Sequence, residues 1–250
     1  MGVYSTNLSE EVRLERMHPA QIERARQRRA AIYVPFGALE WHGYHNPVGL
    51  DALKAHEQLV GLAAAAGGVV YPPVYFGAGG GHTQWSHSYM VDAGAMAQIV
   101  SELLHGFERD GYSHAILISG HYPNRKEYLD AGVSRYRQAG GGMKVLALVE
   151  NEAPGVSGDH AAKYETSAML FLDPALVNTA ELERQPAGRI GGPEERINWM
   201  TDEYKGHPCY GLVGIDPRPH ASAAVGQAAT EALIEFLRQW LDEAEAPAGG

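Results

Sequence analysis

Ala31-Ile32-Tyr33-Val34-Pro35-Phe36-Gly37-Ala38-Leu39-Glu40-Trp41-His42 runs from six apolar residues through a glycine to two side chains able to hold a cation. The apolar run reads as a buried strand. Glu40 and His42 are two residues apart, so on a continuing strand they share one side. Asp51 follows nine residues after His42, at the start of an Ala/Leu-rich stretch, where it can return to the same point. A second apolar run, Ala115-Ile116-Leu117-Ile118, ends alike in Ser119-Gly120-His121. Two strands that each deliver ligands at their carboxyl ends place a metal where open α/β sheets bind their ligands.

Outward from these runs, strand and helix patterns alternate. Residues 50–66 read as a helix and 69–76 as a strand that Pro72-Pro73 confine to an edge or bend. Met96, Ile99, Val100, Leu103, Leu104 and Phe107 give residues 94–109 a helical stripe. A strand over 114–118, a helix over 124–138 and a strand over 143–149 follow. A helix over 161–172 stops at Asp173-Pro174, because the residue before proline disfavours the α region. A last helix spans 222–242. The alternation predicts a three-layer α/β/α fold with a mostly parallel sheet. We read residues 1–250 as one domain, with 1–30 an N-terminal extension, 180–220 a loop and 243–250 a flexible tail.

Composition narrows the partners. A formal charge of −10 disfavours nucleic acid and anionic membrane surfaces. The single Cys209 excludes a disulfide framework and a CxxC motif. No leader pattern and no apolar run of membrane-spanning length occur, so a cytoplasmic protein is expected.

An aspartate, two glutamates and two histidines can hold one or two divalent ions, because imidazole suits zinc and carboxylates suit manganese or magnesium. Beyond Glu40, His42, Asp51 and His121, the segment Asp159-His160-Ala161-Ala162-Lys163-Tyr164-Glu165 adds an imidazole and a carboxylate. His160 and Glu165 are five apart, about 140° around a helix. They converge only if His160 precedes the helix, with Asp159 or a neighbour as cap. Asp51 read alone is a helix N-cap.

These residues carry a resemblance. Gly37 through Asp51 resembles the first motif of the creatininase (creatinine amidohydrolase) family, Ser119-Gly120-His121-Tyr122-Pro123-Asn124 its second, and His160 through Ser167 its third. Gly214-Ile215-Asp216-Pro217 is similar to its C-terminal signature. The resemblance implies the three-layer fold, a homohexamer and a dinuclear zinc or manganese centre acting on small cyclic or amide substrates. It implies Glu40, His42, Asp51 and His121 as ligands, with Asp51 bridging. His160 becomes the acid/base and Glu165 an acidic residue of the site, catalytic or ligating. Two departures stand out. Creatinine-hydrolysing members carry a ligating Glu where this chain has Pro123, and tryptophans before the third motif, where residues 150–159 have none. Creatinine is therefore a poor substrate candidate, and a second metal must lean on Glu165 or water.

The glycine loop Gly77-Ala78-Gly79-Gly80-Gly81-His82 lacks the register of a phosphate loop and reads as a pocket rim. His82, Trp85, Tyr122 and Asn124 are candidate substrate contacts, with a helix cap the competing role for Asn124. Cys209 has no base beside it, and no G-x-S-x-G elbow occurs. Two functions remain open: a metal-dependent hydrolase opening a small polar ring, either a dehydro-inosose or cyclic diketone at carbon or a cyclic amide at nitrogen, or a non-catalytic metal-binding scaffold or maturation protein.

Overall fold

The computed structural model describes residues 2–183 and 188–246. In chain order, α1 (Val3–Thr6) and α2 (Pro19–Arg28) precede β1 (Ala31–Phe36), α3 (Leu50–Ala66), β2 (Val69–Val70), α4 (Ala93–Arg109) and β3 (His114–Ser119). Then come α5 (Asp130–Gln138), β4 (Lys144–Val149), α6 (Lys163–Leu172), β5 (Arg196–Asn198), β6 (Val213–Ile215), α7 (Pro217–His220) and α8 (Ala223–Glu245).

The sheet runs β2-β1-β3-β4 and is parallel throughout. Its period-2 alternation divides the core. Ile32, Val34, Phe36, Ala115 and Leu117 pack with Met96, Val100 and Leu104 of α4 and Val133 and Tyr136 of α5. Tyr33, Ile116, Ile118 and Leu148 face the other way, onto Leu59 and Leu62 of α3 and Leu233, Leu237 and Leu241 of α8. Helices thus cover both faces of the sheet, in the three-layer arrangement expected.

Register aligns the strand ends. Phe36 sits opposite Ser119, and Ser119 opposite Val149, so three chains leave the sheet at one edge. The amino end of α3 presses down on that edge. A Cβ on Gly37 would lie 2.2 Å from the Ala52 nitrogen, and one on Gly120 2.3 Å from the Asp51 carbonyl oxygen. Both glycines leave the room that lets Asp51 descend between two strand ends.

Several expectations are corrected. The strand read over 69–76 is two residues long, because Pro72-Pro73 interrupt its pairing, which resumes only as isolated bridges at Val74 and Gly77. The helix read over 124–138 opens with a π-helical turn, Arg125–Leu129, before α5. Residues 180–220 are not all loop: β5 and β6 form an antiparallel ribbon, too short to show periodicity. Within the stretch read as an extension, residues 2–30 pack against the core. Glu57 of α3 accepts from the Tyr4 and Ser5 amides, at 3.2 and 3.1 Å, and Val70 N–H donates to the Val12 carbonyl. The last helix continues to Glu245, past the boundary at 243 read for the tail, and residues 247–250 lie outside the described ones. Among the described residues no helix is long and apolar enough to cross a membrane.

Because Gly120 touches the backbone of Asp51, Gly120→Ala must shift either β3 or α3. We expect a loss of about 1–3 kcal/mol, the usual cost of overpacking a tight contact, read as a lower urea midpoint. An unchanged midpoint would show that the α3 contact is slack.

Candidate metal centre

Glu40 and His42 leave β1, His121 leaves β3, and Asp51 stands in the first turn of α3. Gly49, not Asp51, occupies the N-cap position, and the Asp51 side chain turns inward. His121 Nδ1 is 2.9 Å from Glu40 Oε2 and 3.4 Å from Asp51 Oδ2. His42 Nε2 is 3.1 Å from Asp51 Oδ1 and 3.6 Å from Glu165 Oε2. One carboxylate therefore lies between two imidazoles, one oxygen toward each.

His160 precedes α6, as convergence with Glu165 requires. Asp159 accepts from the Tyr164 and Glu165 amides at 2.8 and 3.1 Å and so caps α6, while His160 pairs with Val213 of β6. Ala161 between them holds a left-handed φ of 51°, a strained conformation for alanine. Its N–H donates to Glu165 Oε2 at 2.7 Å, which locks the turn.

Three imidazoles share one device. His42 Nδ1–H donates to the Glu40 carbonyl at 3.0 Å, His160 Nε2–H to the Trp41 carbonyl at 2.7 Å and His82 Nε2–H to the Gly211 carbonyl at 2.7 Å. Each bond holds one ring nitrogen on a backbone carbonyl and turns the other toward the site, which is how proteins orient metal-binding imidazoles. The site-facing nitrogens of His82 and His160 lie 3.5 and 3.9 Å from Glu40 oxygens, and the two rings stack at 3.9 Å.

The donor set fits divalent cations. Ligands held 2.0–2.2 Å from one tetrahedral ion stand about 3.4 Å from each other, close to the separations here. Glu40, Asp51 and His121 make one group of mutually close ligand atoms, and His42, His160 and Glu165 another. His42 Nε2 and Asp51 Oδ2 are buried with no hydrogen-bond partner among the described residues. Buried orphans of this kind call for a partner such as an ion.

Electrostatics agree. Burial opposes charge on His42, but Asp51, then Glu165 and Glu40, outweigh it and push it up to about 9. Burial is likewise outweighed at His121, which Asp51 and Glu40 push up to about 10. Burial and the neighbouring His42 charge push His160 down to about 3, keeping it neutral.

A cavity of about 290 Å³ opens over these groups, lined among others by Gly80, His82, Tyr122, Pro123, Asp159 and Met200. Gly80, at φ 98°, brings the loop so close that a Cβ would sit 3.2 Å from His121 Cε1. Of the expected substrate contacts, His82 and Tyr122 line the cavity. Trp85 stands behind His82, ring centroids 5.0 Å apart, in an aromatic cluster with Trp41 and Tyr210. Asn124 does not line the cavity; it stands at the N-cap position of the π-helical turn, as expected, but its side chain makes no cap bond there. Fully buried, it accepts from Ala78 N–H and donates to the Gly37 carbonyl and Ser119 Oγ, tying the glycine loop to both strand ends. Burial pushes the Cys209 thiol up to about 12, consistent with an inert thiol.

The motif reading passed over Lys54 and Glu150. Lys54, fully buried, lies one turn after Asp51 on the same face of α3. It stands 2.7 Å from Glu150 Oε2 and 2.9 Å from Glu165 Oε1. A lone lysine among Leu50, Ala52, Ala55 and Leu59 is the signal that marks it.

Comparison with known proteins bears on this geometry. The creatininase family profile, described as creatinine amidohydrolase, matches residues 15–241. The chain belongs to the creatininase family. Creatinine amidohydrolase of Pseudomonas putida is 26% identical over 179 residues, covering 62% of this chain and 69% of that protein. The mycofactocin precursor peptide peptidase of Mycolicibacterium smegmatis is 29% identical over 179 residues, covering 64% and 69%. A crystal structure of creatininase superposes with a TM-score of 0.76 at 21% identity, over 96% of this chain and all of that one, and shows the shared fold. Solved creatininase forms include a manganese form and a zinc–zinc form of a variant. The chain is a creatininase-family hydrolase.

Without an ion, His42 and His121 carry protons at neutral pH, since both titrate well above the ordinary imidazole range. Cation binding must displace those protons, so apparent affinity should rise with pH until about 9 and flatten above about 10. Calorimetric titration with Zn or Mn in buffers of different ionisation heat measures the release; buffer-independent heats would rule it out.

Proposed function

We propose that this protein is a metal-dependent hydrolase of a small polar amide, most simply a cyclic one. The observation that carries the reading is the Asp51 carboxylate between His42 and His121, with imidazole nitrogens converging on a 290 Å³ cavity. That volume suits a small molecule. The two named relatives support an amide, since one is a creatinine amidohydrolase and the other a peptide peptidase.

Glu40, Asp51 and His121 would hold one divalent ion, and His42, Asp51 and Glu165 a second. Zinc or manganese bound there would polarise a substrate carbonyl and lower the pKa of a water to about 7. His160 does the proton work. Its Nε2–H is held by Trp41, so the neutral ring presents Nδ1 as acceptor to the cavity. It takes the proton of the attacking water and delivers it to the leaving nitrogen as the C–N bond breaks. His82 stacks on His160 and fixes the ring plane, and Tyr122 walls the cavity. Creatinine itself ranks low, because Pro123 stands where its hydrolases carry a ligating glutamate and the tryptophans before the third motif are absent.

A second reading, carbon–carbon hydrolysis of a cyclic diketone such as a dehydro-inosose, draws on the same cavity. His82, Tyr122 and Asp159 around it suit a hydroxyl-rich ring.

A panel of lactams, formamides, short peptides and oxidised inositols, read by mass gain of one water, separates these readings. Turnover of a lactam or formamide is the expected outcome. Turnover of an oxidised inositol alone moves the scissile bond to carbon. Retained metal with no turnover on any member would favour a non-catalytic scaffold. On the substrate so found, His160→Ala should keep fold and metal yet lose about 10²–10⁴-fold in kcat, the usual contribution of a general acid/base. A kcat within about threefold of the parent would remove His160 from the chemistry.

A further inference from the structure

We propose that Lys54 is a positioning residue that turns Glu165 toward the second cation position and so makes good the carboxylate that Pro123 does not supply. The inference rests on the metal-dependent reading above.

Glu165 must present one oxygen beside His42, and its two oxygens are held by different partners. Oε1 accepts from Lys54 Nζ at 2.9 Å, while Oε2 accepts from Ala161 N–H at 2.7 Å and faces His42 Nε2 at 3.6 Å. Lys54 therefore decides which oxygen is offered. Glu150 at the end of β4 holds the ammonium from the far side at 2.7 Å, and the Tyr122 ring lies 5.5 Å from Nζ. Lysine, both glutamates and Asp51 are all under 10% exposed, so none of these contacts is a solvated surface pair. Asp51 and Lys54 are one turn apart on α3, which couples the bridging carboxylate to the group that orients Glu165. Pro123, at the position of the missing ligand, lines the same cavity.

A counter-charge and a positioning group predict opposite effects. If Lys54 only neutralises Glu150 and Glu165, Lys54→Met makes the site more negative and cations bind more tightly. If Lys54 positions Glu165, the second ion is lost despite the added negative charge.

The experiment is calorimetric titration of ion-free protein with Zn and with Mn, backed by elemental analysis. It compares the parent, Lys54→Met, the double variant Lys54→Met/Glu150→Gln, which restores net charge, and Glu165→Gln. The expected result is a second-ion affinity lowered about 10–100-fold in both lysine variants, the usual cost of losing an outer-shell partner, and at least as far in Glu165→Gln, with the first ion within about threefold. Parental or tighter second-ion binding in the double variant would overturn the positioning role. So would parental binding in Glu165→Gln, a test that stands even where the lysine variants fail to fold. A parent that binds no ion would instead overturn the metal-dependent reading itself.

Discussion

The Asp51 carboxylate lies between His42 and His121, and much of the molecule is arranged to put it there. It rides on the first turn of α3, which can descend onto the sheet edge only because Gly37 and Gly120 carry no Cβ. Parallel register brings the ends of β1, β3 and β4 level, so the segments that carry Glu40, His42, His121 and Glu150 leave the sheet at one edge. Asn124 then ties the glycine loop to both strand ends. A displacement of Asp51 would disturb both proposed cation positions together, since it supplies an oxygen to each.

Burying so many charges is costly unless they are paired. Glu40, Asp51, Glu150, Asp159 and Glu165 are all buried around one small volume. Lys54 offsets part of that charge, and His42 and His121 hold protons in the ion-free state. Burial and the nearby Glu165 push Asp159 up to about 7, even though two amides donate to it. Carboxylates crowded beside imidazoles anchored on backbone carbonyls form groups that could hold a cation.

The neighbouring imidazoles differ in what holds them. His42 faces two carboxylates and is pulled toward the charged form. His160, 4.5 Å away ring to ring, is kept neutral by burial and by that very charge. Such divergence between adjacent titratable groups separates ligand from proton carrier in the proposed mechanism. His45, within the first motif, is held by other partners. Its Nε2 is engaged by Thr166 and Asn46 rather than by a carboxylate.

How much was legible in the chain follows from the range of the interactions involved. Strands of six residues, the long helices and the strand-end motifs could be read because apolar periodicity and motif spacing are local properties. So could the placing of His160 before its helix, since Asp159 caps from within the same segment. The short ribbon of β5 and β6 carried too little pattern, and the core role of residues 2–30 rests on pairing with Glu57 and Val70, distant in sequence. Asn124 looked like a site residue from its motif, yet its bonds go to backbone and side chain that only the folded loops bring within reach. Lys54 appeared as one charge in an apolar helix. Its purpose depends on Glu150 and Glu165, some hundred positions away. Which residues could serve the site was thus written in the sequence, while which oxygen faces which nitrogen was decided by tertiary packing, because buried charges are fixed by whichever partners the fold brings within hydrogen-bond distance.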